Sequence, residues 1–451
     1  MSLIETRHHV TRVRGGAGMG MALLAALSMT ACDFDVTNPG PVEDDFLDNA
    51  TAHQAMANGV MTQLAEALTN VAYTTGAVTR EIFPAGSTGS FGITGAQQTG
   101  IIRHSDTHVF WTAHQRARQM AVDFMARFEE NENVSVQGYK PAVDIAIWGG
   151  YANRLLGDAF CQAVRDGGAV ESRTVFWDDA ETWFTRAIEL AGTSFPDVTT
   201  AAYAGRASVR ANLGDWPGAM SDAAQVDDDF SFEMPYTTQE SSQYNRIYFA
   251  SANEPYRAHT VWNTWYDEYY TDTNDPRTPW GEDPDEPTGD AGLSILNNDR
   301  ATWHFQLKHD QRDSPHELSS GWEMRLLEAE NRLRNGQYDA TTLELINRHR
   351  VELGLDPWAP TADADGYWEV YMRERGIELW LNGRRMMDLT RWYDHGISSS
   401  LLDPLERPGH ADSYLSANQT LAYPIPDEEY ETNENLDSTN PVLTCPVVVV
   451  P

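Results

Sequence analysis

The chain has 451 residues, 41% of them hydrophobic and 10% aromatic, enough for a large buried core and far from disordered composition. Its 67 acidic residues outweigh 32 basic ones, and the formal net charge of −35 repels phosphate backbones and anionic lipid, so nucleic acid is excluded as a partner.

Residues 1–31 read as an export signal: Arg7, Arg12 and Arg14 precede an uncharged apolar run, Ala17 to Ala31, that is too short and Gly-rich to span a bilayer comfortably. Gly16, Gly18 and Gly20 belong to that segment and carry no nucleotide-loop meaning. The alternative is a disordered start with a chance apolar run. Met29-Thr30-Ala31-Cys32 resembles a bacterial lipobox, in which Cys32 receives a diacylglyceryl group and becomes the new N-terminus. Each buried methylene of such chains contributes ~0.8 kcal/mol, and two or three chains hold a soluble body on a membrane without a spanning helix. Setting Cys32 aside leaves Cys161 and Cys445. In an oxidising compartment they either pair, pinning the tail "VLTCPVVVVP" with up to ~5 kcal/mol in the chain-entropy model, or stay as two separate buried thiols.

Residues 85–100, "AGSTGSFGITGAQQTG", lack the Lys-Ser/Thr ending of a phosphate loop and read as a mobile or binding loop. From Pro141 to Val164 the apolar residues Trp148, Tyr151, Ala152, Leu155, Leu156, Ala159 and Phe160 recur at three- and four-residue steps, which predicts a long buried helix. The Leu-Gly-Asp word at Leu156 to Asp158 returns at Leu213, Gly214 and Asp215. Between the two lies another amphipathic helix, stopped by Gly192. Helix, Gly-Asp-aromatic turn, then a helix with small residues (Ala219, Ala223) is the grammar of tetratricopeptide-like hairpins. A third instance covers Arg325 to Arg350, with Gly336 and Tyr338 in the turn. Because the units are unevenly spaced, the expectation is a mainly α fold of interrupted hairpins over about 50–230 and 315–395. A loop-rich insert at about 231–313 would supply the binding loops, and 396–451 an extended C-terminal segment, all within one domain, 32–451.

No catalytic constellation emerges. The acids Glu282, Asp283, Asp285, Glu286 and Asp290 are broken by Pro284 and Pro287, lack the apolar surroundings that raise a carboxyl pKa, and have no calcium-loop glycine. His104 and His108, with Asp106 between them, lack the Glu of a zincin, and His316 lacks a second histidine, so neither a metal nor a cofactor is expected. No nucleophile elbow follows the leader, and Cys161, within the predicted helix, is a weak nucleophile candidate. In Tyr371 to Trp392, the charges Arg373, Glu374, Arg375, Glu378, Arg384, Arg385, Asp388 and Arg391 suit i,i+4 ion pairs on two helices flanking a break at Gly383.

That last segment, "RERGIELWLNGRRMMDLTRW", resembles the Arg-Glu-Arg-x-x-Glu-Leu, Gly-x-Arg and Asp-Leu-x-Arg-Trp series of SusD/RagB-like outer-membrane lipoproteins. "YPIPDEEYETNENL" (Tyr423 to Leu436) is similar to that family's closing signature, Asp275-Pro276-Arg277 to its Asp-Pro-Arg element, and "DVTNPGPV" after Cys32 to its start. Leu381-Asn382 stands where the family often has Phe-Glu. The resemblance implies a non-enzymatic lipoprotein at the outer face of the outer membrane that captures oligosaccharide or peptide and delivers it to a SusC-like TonB-dependent receptor barrel. It carries over no ligand residues. Sugar rings stack their C–H faces on aromatics and offer hydroxyls to planar polar groups, which nominates Trp262, Trp265, Tyr266, Tyr269, Tyr270, Trp280 and Trp303 in or beside the insert. Burial statistics favour the core for each ring taken singly. A helical-repeat scaffold for a protein partner and, behind it, a secreted glycoside hydrolase are the alternatives.

Overall fold

Helix-forming stretches dominate the computed structural model, which describes residues 44–252, 256–360 and 362–437. The expected leader, the lipobox with Cys32, the "DVTNPGPV" start and the tail with Cys445 lie outside these residues. The described residues from Leu47 onward form one compact unit, which holds the core.

Helix α1 (Ala50–Val78) starts where the Asn49 side chain accepts from the Thr51 amide, and its second half is buried nearly all round. Helices α2 (His108–Glu130) and α3 (Lys140–Ala159) pack against it. On α2 the buried positions Phe110, Ala113, Ala117, Ala121 and Phe128 follow the helical period. There follow α4 (Thr174–Ala191), α5 (Pro196–Leu213) and α6 (Trp216–Ala223), in antiparallel neighbours that repeat the tetratricopeptide-like hairpin. After the insert come α9 (Gly321–Arg334) and α10 (Ala340–Glu352), joined through Gly336 at φ +70°, and then α11 (Ala364–Glu378) and α12 (Arg385–Asp394).

Close helix approach depends on missing side chains. A Cβ on Gly150 of α3 would stand 2.6 Å from the Phe184 ring of α4, and one on Gly205 of α5 would stand 2.4 Å from it. The ring therefore fills a slot open only because both flanking positions are glycine.

Two expectations about these helices need correction. Helix α3 ends at Ala159, because Phe160 turns extended (φ −97°, ψ 143°) and forms a bridge with Tyr423, while Gln162–Ala163 (β2) pairs with Glu171–Ser172 (β3). Cys161 therefore lies beyond the helix. The first Leu-Gly-Asp word is also helical and forms no turn: Gly157 gives way to the Trp177 indole, whose Nε1 donates to Asp158 at 3.0 Å. Its second copy turns as expected, with Gly214 at φ +82° and the Asp215 side chain accepting from the Gly218 amide.

The insert leaves and returns through one antiparallel pair, β4 (Ser231–Met234) with β8 (His316–Ser320), with Met234 opposite His316. Inside it, β5 (His259–Thr260) pairs with β1 (Phe83–Pro84), and β6 (Trp280–Glu282) with β7 (His304–Gln306). Short helices α7 (Arg246–Ser251) and α8 (Trp265–Thr273) interrupt what the prolines suggested was irregular; α8 fits because its nine residues lie in the proline-free run between Pro255 and Pro276. Loop 85–100 is packed, with Phe91, Ile93 and Gln97 buried and the Arg80 guanidinium donating to the Gln98 carbonyl at 2.9 Å. The extended C-terminal segment is tied down at Tyr423, whose amide donates to Ala159 and whose ring stacks on Phe110, before a last short helix, α13 (Asp427–Thr432). Among the described residues, no helix is long and apolar enough to cross a membrane.

Candidate ligand-binding surface

Four of the seven nominated rings are core. Tyr266 has no exposed surface and lies stacked against Trp265 at 3.9 Å and Trp380 at 5.3 Å. Trp303 and Tyr269 are buried too, the first donating through Nε1 to the His259 carbonyl and the second through its hydroxyl to Asp275. The rings of Trp265, Tyr266 and Tyr269 pack with Ile377 and Trp380, and that of Trp303 with Phe83 and Ala301, so they offer no face to a ligand.

Trp262, Tyr270 and Trp280 are half-buried. Trp280 lies flat on His304, 4.1 Å away at 3°, and its indole donates to the Asp267 carbonyl. The His304 ring is fixed in turn by the Asp267 carboxylate at 2.9 Å, and Tyr270 meets Trp280 edge-on at 6.0 Å. Trp262 stands edge-on to buried Phe83, which also supports exposed Tyr414, each at 5.7 Å.

A larger aromatic arc escaped the sequence reading. Tyr256, 40% exposed, packs on Phe249 at 5.1 Å, and Phe249 on Tyr244 at 6.0 Å, while buried Phe91 from loop 85–100 supports Tyr256 and Phe249 from beneath. Arg312 covers the Tyr244 ring at 5.4 Å, and Arg246 donates to the Phe91 carbonyl, which fixes the loop to α7. The available signal was the density of aromatics and arginines around "QYNRIYF", beside a Trp-rich stretch that drew the eye.

The acidic cluster is a solvated loop with structural attachments: Glu286 pairs with Arg257 at 3.0 Å and Asp290 accepts from the Ser87 amide at 2.6 Å. His104 contacts the Ile425 carbonyl while His108 faces Glu428, so the two imidazoles do not converge. No group of three or more potential metal ligands exists among the described residues. Cys161 lies in the bend after α3, between Phe160 and β2.

No family model matches the sequence, and no curated protein matches it. Solved structures do. A SusD superfamily protein from Parabacteroides distasonis ATCC 8503 superposes with a TM-score of 0.63 at 13% identity, over 86% of this chain and 98% of the other. A SusD/RagB family protein from Bacteroides thetaiotaomicron gives 0.62 at 13% identity, over 86% and 95%. A laminarin-binding SusD-like protein gives 0.57 at 13% identity, over 85% and 98%. The fold is that of the SusD/RagB proteins.

In this SusD-like chain, the segments that carried the sequence resemblance form a buried ionic frame. Arg277 is shared by Asp275, Glu374 and Glu378 at 2.6–2.8 Å. Arg375 pairs with Asp388, Arg384 with Glu323, Arg391 with both Glu330 and Asp388, and Arg385 with Glu406. Against the upward push of burial, Arg391 and Arg334 hold the Glu330 carboxyl well below the usual carboxylate range. The expected i,i+4 pattern is therefore corrected: most pairs run between elements, and Arg373 with Glu369 is an i,i+4 pair at the surface. Such an arrangement fixes α9, α11 and α12 relative to one another and to the insert.

Proposed function

We propose that this protein is a non-catalytic, surface-exposed carbohydrate-binding subunit of a nutrient-uptake system in the outer membrane. In this reading Cys32 carries the lipid anchor, residues 1–31 are removed, and a disulfide between Cys161 and Cys445 ties the tail to the body. The bound oligosaccharide passes to a SusC-like TonB-dependent receptor barrel, and peptide is the alternative cargo. The single observation that carries the reading is the arc of Tyr244, Phe249 and Tyr256, presented at the surface over a buried ring. Flat apolar faces beside guanidinium groups suit the C–H faces and hydroxyls of a glycan. One protein of the same fold binds laminarin, a glucan, which makes glucans the first ligands to try.

Isothermal titration of the lipid-free protein against laminarin and a panel of other glycans and peptides tests this. Saturable heat with a glycan, with a several-fold weaker affinity in Tyr256→Ala, is expected. Heat with no glycan, together with capture of a folded protein partner by the helical face, would replace this reading with that of an interaction scaffold.

A further inference from the structure

Away from the aromatic arc, a cavity of about 440 Å³ opens between the Asp275–Arg277 turn, the β7–β8 connection and the turn leading into α12. Arg277, Lys308, Glu317, Glu378 and Asn382 line it, and exposed Pro276, Leu307 and Asp310 stand at its mouth. Asn382 is 2% exposed, and neither its amide nitrogen nor its amide oxygen has a partner. Burying an amide with both ends unsatisfied costs a few kcal/mol, so such a group points to something that completes it. Its position is firmly held. The preceding Leu381 amide donates to Glu81 at 2.8 Å, the Asn382 amide to the Leu379 carbonyl at 3.0 Å, and Gly383 takes φ +71° to enter α12.

Lys308 is the second group with capacity to spare. Half-buried in the wall, it feels the carboxylates of Glu317, Glu378 and Glu81 without bonding directly to any described residue. The other charges are already engaged: Arg277 by three carboxylates, Glu378 by Arg277 and His349, Glu317 by the Ser231 hydroxyl. Burial pushes the Glu317 carboxyl up to about 7, so near neutrality it can both donate and accept.

We infer that this cavity is a pocket for a small neutral polyol, a single sugar unit, that completes the Asn382 amide and the Lys308 ammonium. An anionic ligand would face Glu317 and Glu378, and a cationic one Lys308 and Arg277, whereas a hydroxyl donates to a carboxylate and accepts from an ammonium at once. The amide, with one donor end and one acceptor end, matches two neighbouring hydroxyls on a ring. This inference deepens the carbohydrate reading and rests on it for the ligand class, but the residues involved are separate from the aromatic arc.

The test uses the complete lipid-free protein with glucose, galactose and mannose, by titration and by soaking crystals. Expected is one sugar ring in the cavity within hydrogen-bond distance of Asn382 and Lys308, with solution affinity reduced at least tenfold in Lys308→Met and in Asn382→Leu. Lys308→Met alters a half-buried wall residue and serves if Asn382→Leu fails to fold, as judged by circular dichroism. If laminarin or another long glycan binds but no monosaccharide does, the pocket is overturned and the proposed function stands. Monosaccharide binding that depends on Lys308, without binding of any long glycan, supports the pocket and overturns oligosaccharide capture. A ring seen in crystals with no heat in solution is binding at crystal concentration only, and also overturns the pocket.

Discussion

The Arg277 guanidinium lies 2.6 Å from the Glu374 carboxylate, although the two residues are 97 positions apart in the chain. The contact joins the insert to α11, and the same guanidinium also neutralises Asp275 and Glu378. Removing one member of a buried charge group leaves the rest uncompensated. Arg277→Ala should therefore lower stability by about 3–5 kcal/mol, read as a fall in the urea midpoint. Arg277→Lys should recover only part of this, because an ammonium cannot fork across three carboxylates.

Phe184 in its double-glycine slot gives a second expectation. Gly205→Ala places a methyl 2.4 Å from the ring, and such overpacking costs about 1–3 kcal/mol. Combining it with Phe184→Leu should cost less than the sum of the two single changes, since the smaller side chain vacates the space the methyl needs. Thermal melts of the two single variants and the double variant read that coupling directly.

Burial pushes the Glu81 carboxyl from 4.5 to about 7, opposed by the hydrogen bond from Leu381. Between those values the folded chain keeps a proton that the unfolded chain has released, so this group's contribution to stability falls as pH rises through the window and levels off above 7. Glu81→Gln has nothing to titrate. Its stability relative to the native sequence should improve by roughly 3 kcal/mol between pH 4.5 and 8, measured as the change in the difference between the two urea midpoints. An unchanged difference would show that Glu81 ionises freely.

Ligand binding should respond to exposed rings and spare buried ones. Losing one stacked face costs about 1 kcal/mol, so Tyr256→Ala should weaken a bound glycan roughly fivefold with little change in melting temperature. Tyr266→Ala, by contrast, removes a fully buried ring and should lower stability by about 3–5 kcal/mol. Paired titrations and melts on both variants separate the two roles.

Punctuation residues made much of the helical scaffold legible. Gly214 with Asp215, and Gly336 ahead of Tyr338, announced turns because positive φ and side-chain capping are local properties. Gly157 carries the same word as Gly214 and yet sits inside a helix; what decides is the Trp177 indole above it, which no local pattern reports. The aromatic reading failed for the same reason. Tyr266 is buried because Trp380, just after α11, packs onto it, with Trp265 stacked on Tyr266 in turn, and the exposed arc depends on Phe91, from loop 85–100, more than 150 positions earlier in the chain. The charges between Tyr371 and Trp392 were visible as a network, but their partners Glu323, Glu330 and Glu406 come from other elements.

Because Met234 sits opposite His316, the polypeptide exits the scaffold and re-enters it at adjacent points on one ribbon. The whole excursion is thus a cassette: replaced by another of different length, it would leave the helical hairpins their original path, and new specificities could be grafted without redesigning the base. Arg277 sets one condition of exchange. Any substitute cassette must bring its own cation to the Glu374–Glu378 step of α11, or the graft will lack its foundation.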